Sequence, residues 1–153
     1  MEIQEKTPGY LWSAINNKCP RCRKGDIYVT KNPYALKGNK YILMHDRCPV
    51  CGQRTDIEVG FYYGTSYVSY AITVAFSGLS FVLWWIFLGF SLHDNRLFWW
   101  LGFNSILLLA LQPIFMRLSR SLWLSWFVKY DKNWKTNPLV EPERIVKSQM
   151  TNW

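Results

Sequence analysis

The 153-residue chain carries 18 Lys and Arg against 10 Asp and Glu, a net charge of +8, and nine each of Trp, Tyr and Phe. That length gives room for one modest domain, and aromatic residues at 18% are more than an ordinary globular chain carries. The basic residues form no block of five or six, which argues against nucleic acid as partner and for membrane lipids, each nearby Lys or Arg adding about 1 kcal/mol of attraction to an anionic surface.

Residues 1–18 open without the apolar run of a secretory signal. After Thr7-Pro8-Gly9, the stretch Tyr10-Leu11-Trp12-Ser13-Ala14-Ile15 predicts a short helix. It would either lie along a membrane surface or pack on the module that follows.

Residues 19–59 carry all four cysteines, as Cys19-Pro20-Arg21-Cys22 and Cys48-Pro49-Val50-Cys51-Gly52. A tight turn aims both thiolates of a C-x-x-C pair at one point, and two such turns complete a four-sulfur shell that suits zinc. The runs Asp26–Thr30 and Lys40–Met44 lie between the turn signals of Lys24-Gly25-Asp26, Asn32-Pro33 and Lys37-Gly38-Asn39. They predict a small zinc-ribbon-like β module with little core of its own. One structural zinc is the leading cofactor, with iron in the same shell and a redox dithiol as alternatives. Four cysteines already fill the shell, so His45 is read as a surface residue.

Residues 60–118 predict a transmembrane hairpin. Tyr67–Leu92 and Leu97–Met116 contain no charged side chain, and each exceeds or matches the roughly 20 residues needed to cross a bilayer. The first span is read over about 67–92 and the second over about 97–118, joined by the polar break His93-Asp94-Asn95-Arg96. Ser69, Thr73 and Ser77 recur every fourth residue and share one helix face. With Asn104 and Gln112 on the second span they are candidates for helix packing or for docking another membrane subunit. Pro113 marks a candidate kink. Residues 119–153 read as an interfacial amphipathic helix followed by a loose cytoplasmic tail.

Ten Lys and Arg precede Tyr67, Arg96 alone lies in the connecting loop, and seven follow from Arg117 onward. The positive-inside bias therefore predicts both termini in the cytoplasm. A reducing compartment favours metal over disulfides at the cysteines.

The segments CPRCRKG at 19–25, CPVCG at 48–52, GFYYGTSYVSYA at 60–71 and PIFMRLSRSLWL at 113–124 together resemble a bacterial family catalogued as domain of unknown function 983. The resemblance covers about residues 10–130. It implies an inner-membrane protein with a zinc-ribbon head and brings no activity with it. One departure is Arg23, where many members carry Gly. The expected fold class is thus a mainly α membrane protein, a two-helix hairpin bearing a small zinc-ribbon-like β module. No phosphate loop, nucleophile triad or intramembrane carboxylate pair is present in the sequence. The function expected is that of a non-enzymatic adaptor or assembly factor for a larger membrane complex, with thiol-redox or metal handling as the alternative.

Overall fold

The computed structural model describes residues 8–89 and 94–139. The expectations that fall on residues 1–7, on the loop at 90–93 and on the tail at 140–153 lie outside the described residues. Among the described residues three α-helices follow one another: α1 at Tyr10–Ile15, α2 at Thr65–Leu88 and α3 at Arg96–Phe127.

The helices α2 and α3 are antiparallel neighbours, and both are long and apolar enough to cross a membrane. Their most apolar 18-residue stretches are 0% and 6% buried within the protein itself. A core helix of a soluble protein would instead hide such a stretch. At 1.5 Å per residue, α2 is about 36 Å long and α3 about 48 Å. A 3-10 turn at Phe61–Gly64 leads into α2, and Gly89 in the left-handed region (φ 74°) closes it at Leu88 rather than at the expected residue 92. Arg96 donates to the Leu88 carbonyl across the turn end of the hairpin. The helix α3 runs unbroken through Pro113.

The excess length of α3 has a clear use. Its last turns do not form a separate interfacial helix but continue the span and enter the cysteine-bearing head. Leu124 of α3 and Val128 just beyond it join Ile27, Tyr28 and Phe61 in one buried cluster. A head too small to enclose apolar side chains by itself borrows its core from the helix. Further hydrogen bonds tie the two together: the Tyr28 hydroxyl to the Arg117 carbonyl (3.0 Å), Ser121 to the Asn17 side chain (2.7 Å) and the Trp123 indole to the Phe61 carbonyl (2.8 Å). Tyr10 of α1 reaches Ser125 of α3 at 2.8 Å, so α1 packs on the head while Leu11, Trp12 and Ile15 stay exposed.

The expected β module is not seen: among the described residues the head contains no strand, only the antiparallel bridges Lys18–Asp26, Tyr28–Met44 and Arg47–Arg54. The two β-prone runs do meet, with Val29 N–H on the Leu43 carbonyl (3.1 Å) and His45 N–H on the Ile27 carbonyl (2.9 Å). A ladder fails to extend because Arg117 takes the carbonyls that would continue it. Its guanidinium donates to the Tyr41 carbonyl, to Lys31 O (3.2 Å), to Asn32 O (2.9 Å) and to Thr30 Oγ1 (3.0 Å). It also lies over the Tyr28 ring at 4.6 Å and is only 3% exposed.

This arrangement predicts the behaviour of Arg117→Lys. A lysine keeps the charge but offers three donors from one point, which cannot span four acceptors around a planar fork. With at least one acceptor left unpaired, we expect about 1–3 kcal/mol of destabilisation, read as a lower melting temperature in detergent. A melting temperature equal to that of the native chain would remove Arg117 as the anchor.

Candidate metal centre

The four cysteines converge at the far end of the head from the hairpin turn. Their Sγ atoms all lie within 4.8 Å of one another. Cys19 and Cys51 are 3.6 Å apart, Cys22 and Cys48 3.8 Å. A tetrahedral shell with metal–sulfur bonds of about 2.3 Å has sulfur–sulfur edges of about 3.8 Å. The cluster therefore has the size and donor set of a four-thiolate metal site, and it could bind a metal ion.

The local sequence explains how each pair is aimed. The two turns are near copies: Arg23 N–H bonds the Cys19 carbonyl at 2.7 Å, and Gly52 N–H bonds the Cys48 carbonyl at 2.9 Å. In both, the residue after the second cysteine is left-handed, Arg23 at φ 57° and Gly52 at φ 71°. Glycine takes that conformation freely, whereas arginine is strained by about 1–2 kcal/mol. Arg23 has compensating contacts, donating to the Pro8 carbonyl (2.9 Å) and lying over the Tyr130 ring at 4.2 Å. Its side chain joins the chain before α1 to the segment after α3, which a glycine could not do.

Burial is uneven. Cys19, Cys22 and Cys48 are at most 2% exposed, while Cys51 is half-buried. Trp134 packs against the cluster. It belongs to the segment at 131–139, which is not a loose tail but a strap across the head. Arg21, between the first two cysteines, donates to Asp131 (3.3 Å) and to the carbonyls of Asn137 (2.9 Å) and Pro138 (3.2 Å). Asp131 N–H returns a bond to the Arg21 carbonyl at 3.1 Å.

Four sulfurs this close cannot share protons evenly. The Cys22 thiol is held far below its ordinary value by the hydrogen bond from Cys19, then by those of Cys48 and Cys51. Cys48 is lowered to about 7, with Cys19 again the largest cause. Cys19 is pushed far up through its bonds to Cys22, Cys48 and Cys51, and Cys51 is raised as well. Only a cation in the centre lets all four exist as thiolates together.

Between the helices, the expected polar face is used in part. Asn104, 7% exposed, donates to Ser77 Oγ at 3.2 Å, and its side-chain oxygen lies 2.9 Å from Ser80 Oγ. The Trp100 indole donates to Ser80 Oγ at 3.2 Å. Thr73 bonds the Tyr70 carbonyl on its own helix, Ser69 is half-buried, and Gln112 sits on the exposed side of α3. Ser80 and Trp100 were not expected. Ser80 follows Ser77 by three residues and so extends the same face, which is a usable signal. Trp100 had none, nor did Arg21, Asp131 and Trp134, whose partners lie more than a hundred residues away or beyond the cysteines.

Compared with known proteins, the chain matches no family profile, no curated protein and no solved structure.

Gly25 supplies the test of this geometry. A Cβ there would sit 2.4 Å from Cys48 Sγ and 3.2 Å from Val50. Gly25→Ala must displace a sulfur from the cluster. We expect metal affinity to fall at least about ten-fold, the loss typical when support around a ligand is removed. Chelator competition measures it, and unchanged retention of metal would mean that the cysteines do not form the site as arranged.

Proposed function

We propose that this chain is an integral inner-membrane protein whose α2–α3 hairpin spans the bilayer and whose cytoplasmic head is locked by one structural zinc. It acts as a non-enzymatic adaptor or assembly factor for a larger membrane complex. The observation that carries this reading is the union of two features: an apolar hairpin exposed along its length and a four-sulfur cluster in a head that shares its core with the end of α3. Arg96 and Arg117 bracket the uncharged part of α3, 21 residues apart and thus about 32 Å along the helix, close to the hydrocarbon thickness of about 30 Å. The bias of basic residues toward the head supports cytoplasmic termini. The resemblance to the domain of unknown function 983 family supports both the membrane location and the zinc.

The role of the metal follows from the donor count. Cys19, Cys22, Cys48 and Cys51 would supply four thiolates and leave no position for water or substrate, which is the arrangement of a structural site. Zinc so held contributes on the order of 10 kcal/mol to folding of the head. A rigid head with α1, loop and strap surfaces around it suits docking rather than turnover. Lipids and another membrane protein are the partners of this reading, and nucleic acid is not.

A second reading rests on one observation. Cys51 alone among the four is only half-buried, so a thiol-redox or metal-handling role would start there. Alkylation separates the two. For a structural site all four thiols stay protected until a chelator is added, and rapid reaction of Cys51 with metal still bound selects the second reading.

Metal content and topology test the first. Freshly purified protein should carry about one zinc per chain, and Cys19→Ser should lose it together with the compact head. A single-cysteine probe at Asn95 should react with an impermeant reagent added to intact cells, and one at Lys132 should not. Labelling at Lys132 from outside would overturn the orientation. Purification in mild detergent should bring down a membrane partner in fixed ratio, and a chain that purifies alone at native expression levels argues against the adaptor role.

A further inference from the structure

The arm of the head between Ile27 and His45 reaches down the side of α3. Arg117 grips both of its sides, at Thr30, Lys31 and Asn32 and at Tyr41. Beyond that grip, the Tyr34 hydroxyl donates to the Ala110 carbonyl at 3.0 Å. Ala110 lies seven residues from Arg117 toward the hairpin turn, about 10 Å along the helix.

The tip carries an unusual set of side chains for a loop so placed. Tyr34 and Leu36 are 49% and 62% exposed. No acidic residue occurs between Asp26 and Asp46, while Lys31, Lys37 and Lys40 are all exposed. A 3-10 turn at Lys37–Asn39, with Gly38 (φ 64°) and Asn39 (φ 56°) both left-handed, keeps the tip compact.

We infer that this arm dips into the leaflet on the head side of the membrane, with Tyr34 and Leu36 among the acyl chains and Lys31, Lys37 and Lys40 on anionic lipid phosphates. The inference rests on the membrane reading above. Backbone polar groups without partners are costly in hydrocarbon, which holds such a loop at the boundary of headgroup and acyl chain, about 5–10 Å deep. The offset between Arg117 and the Tyr34 hydroxyl matches that depth. Lysines flanking an apolar tip on a basic protein complement the negative charge of a cytoplasmic leaflet. The head is then planted in the membrane at a second point, set to the side of the two spans.

The test uses the full chain reconstituted in vesicles of phosphatidylcholine and phosphatidylglycerol, with an environment-sensitive fluorescent amino acid placed singly at Leu36, Ile106 or Lys132. Lipids brominated near the top of their acyl chains should quench the probe at 36 and leave that at 132 unquenched, and mid-chain bromines should quench that at 106. Replacing the phosphatidylglycerol by phosphatidylcholine should weaken quenching at 36, and the variant Lys37→Gln with Lys40→Gln should lose that dependence on lipid charge. Quenching at 106 without quenching at 36 overturns the dipping loop and leaves the hairpin standing; such a loop faces water or a protein partner. Absence of quenching at both positions overturns the membrane reading itself. Quenching at 36 that ignores lipid charge overturns the assignment of the lysines to anionic phosphates.

Discussion

One guanidinium group holds this molecule together. Arg117 stands where the uncharged length of α3 ends, and it closes four hydrogen bonds with the arm of the head in place of ladder bonds between the arm's two sides. Buried at 3% exposure over the Tyr28 ring, it has satisfied donors and an aromatic face instead of a counter-ion. Isolated buried charge is expensive, and here the dipoles of three peptide groups and a hydroxyl disperse it. Without this anchor the arm at 29–43 has too few ladder bonds to hold its shape.

The same economy governs the core. The head and α3 share one apolar cluster, which the 3-10 turn at Phe61–Gly64 joins through Phe61, while α1 packs on α3 through Tyr10 and the strap at 131–139 closes onto the cysteines through Trp134. Gly64 shows how tight the junction is: a Cβ there would fall 2.2 Å from the Trp123 ring. The cysteine cluster is packed against by Trp134, so its position relative to α2 and α3 is set by packing and not by a linker.

Much of this was readable from residues alone, for identifiable reasons. C-x-x-C turns are local, so their convergence could be anticipated from spacing, and the geometry of both knuckles follows from four-residue turns. Long uncharged runs likewise announce helices able to span a membrane. The β module did not materialise, because short runs pair only when carbonyls and amides are free for each other, and Arg117 lies 73 residues after Met44 in the chain. The strap was misread as a tail since a polar segment with prolines gives no local sign that Arg21 is waiting for it. Ser77 and Asn104 met as a polar contact between helices, whereas Gln112, equally polar, faces outward. One-dimensional periodicity can put residues on a face, but it does not say which face finds a neighbour.

The shared core also orders events during synthesis. The cysteine turns leave the ribosome first, yet Trp134, which packs against them, comes 83 positions after Cys51. At 5–20 residues per second the thiols wait about 4–17 s for that cover. In that interval both apolar helices must leave the ribosome, so the head closes only around a hairpin that has already been made. A chain truncated before residue 117 lacks both the Trp134 that packs on its cysteines and the guanidinium that pairs its arm. Closure of the site thus doubles as a check that the second helix has been completed.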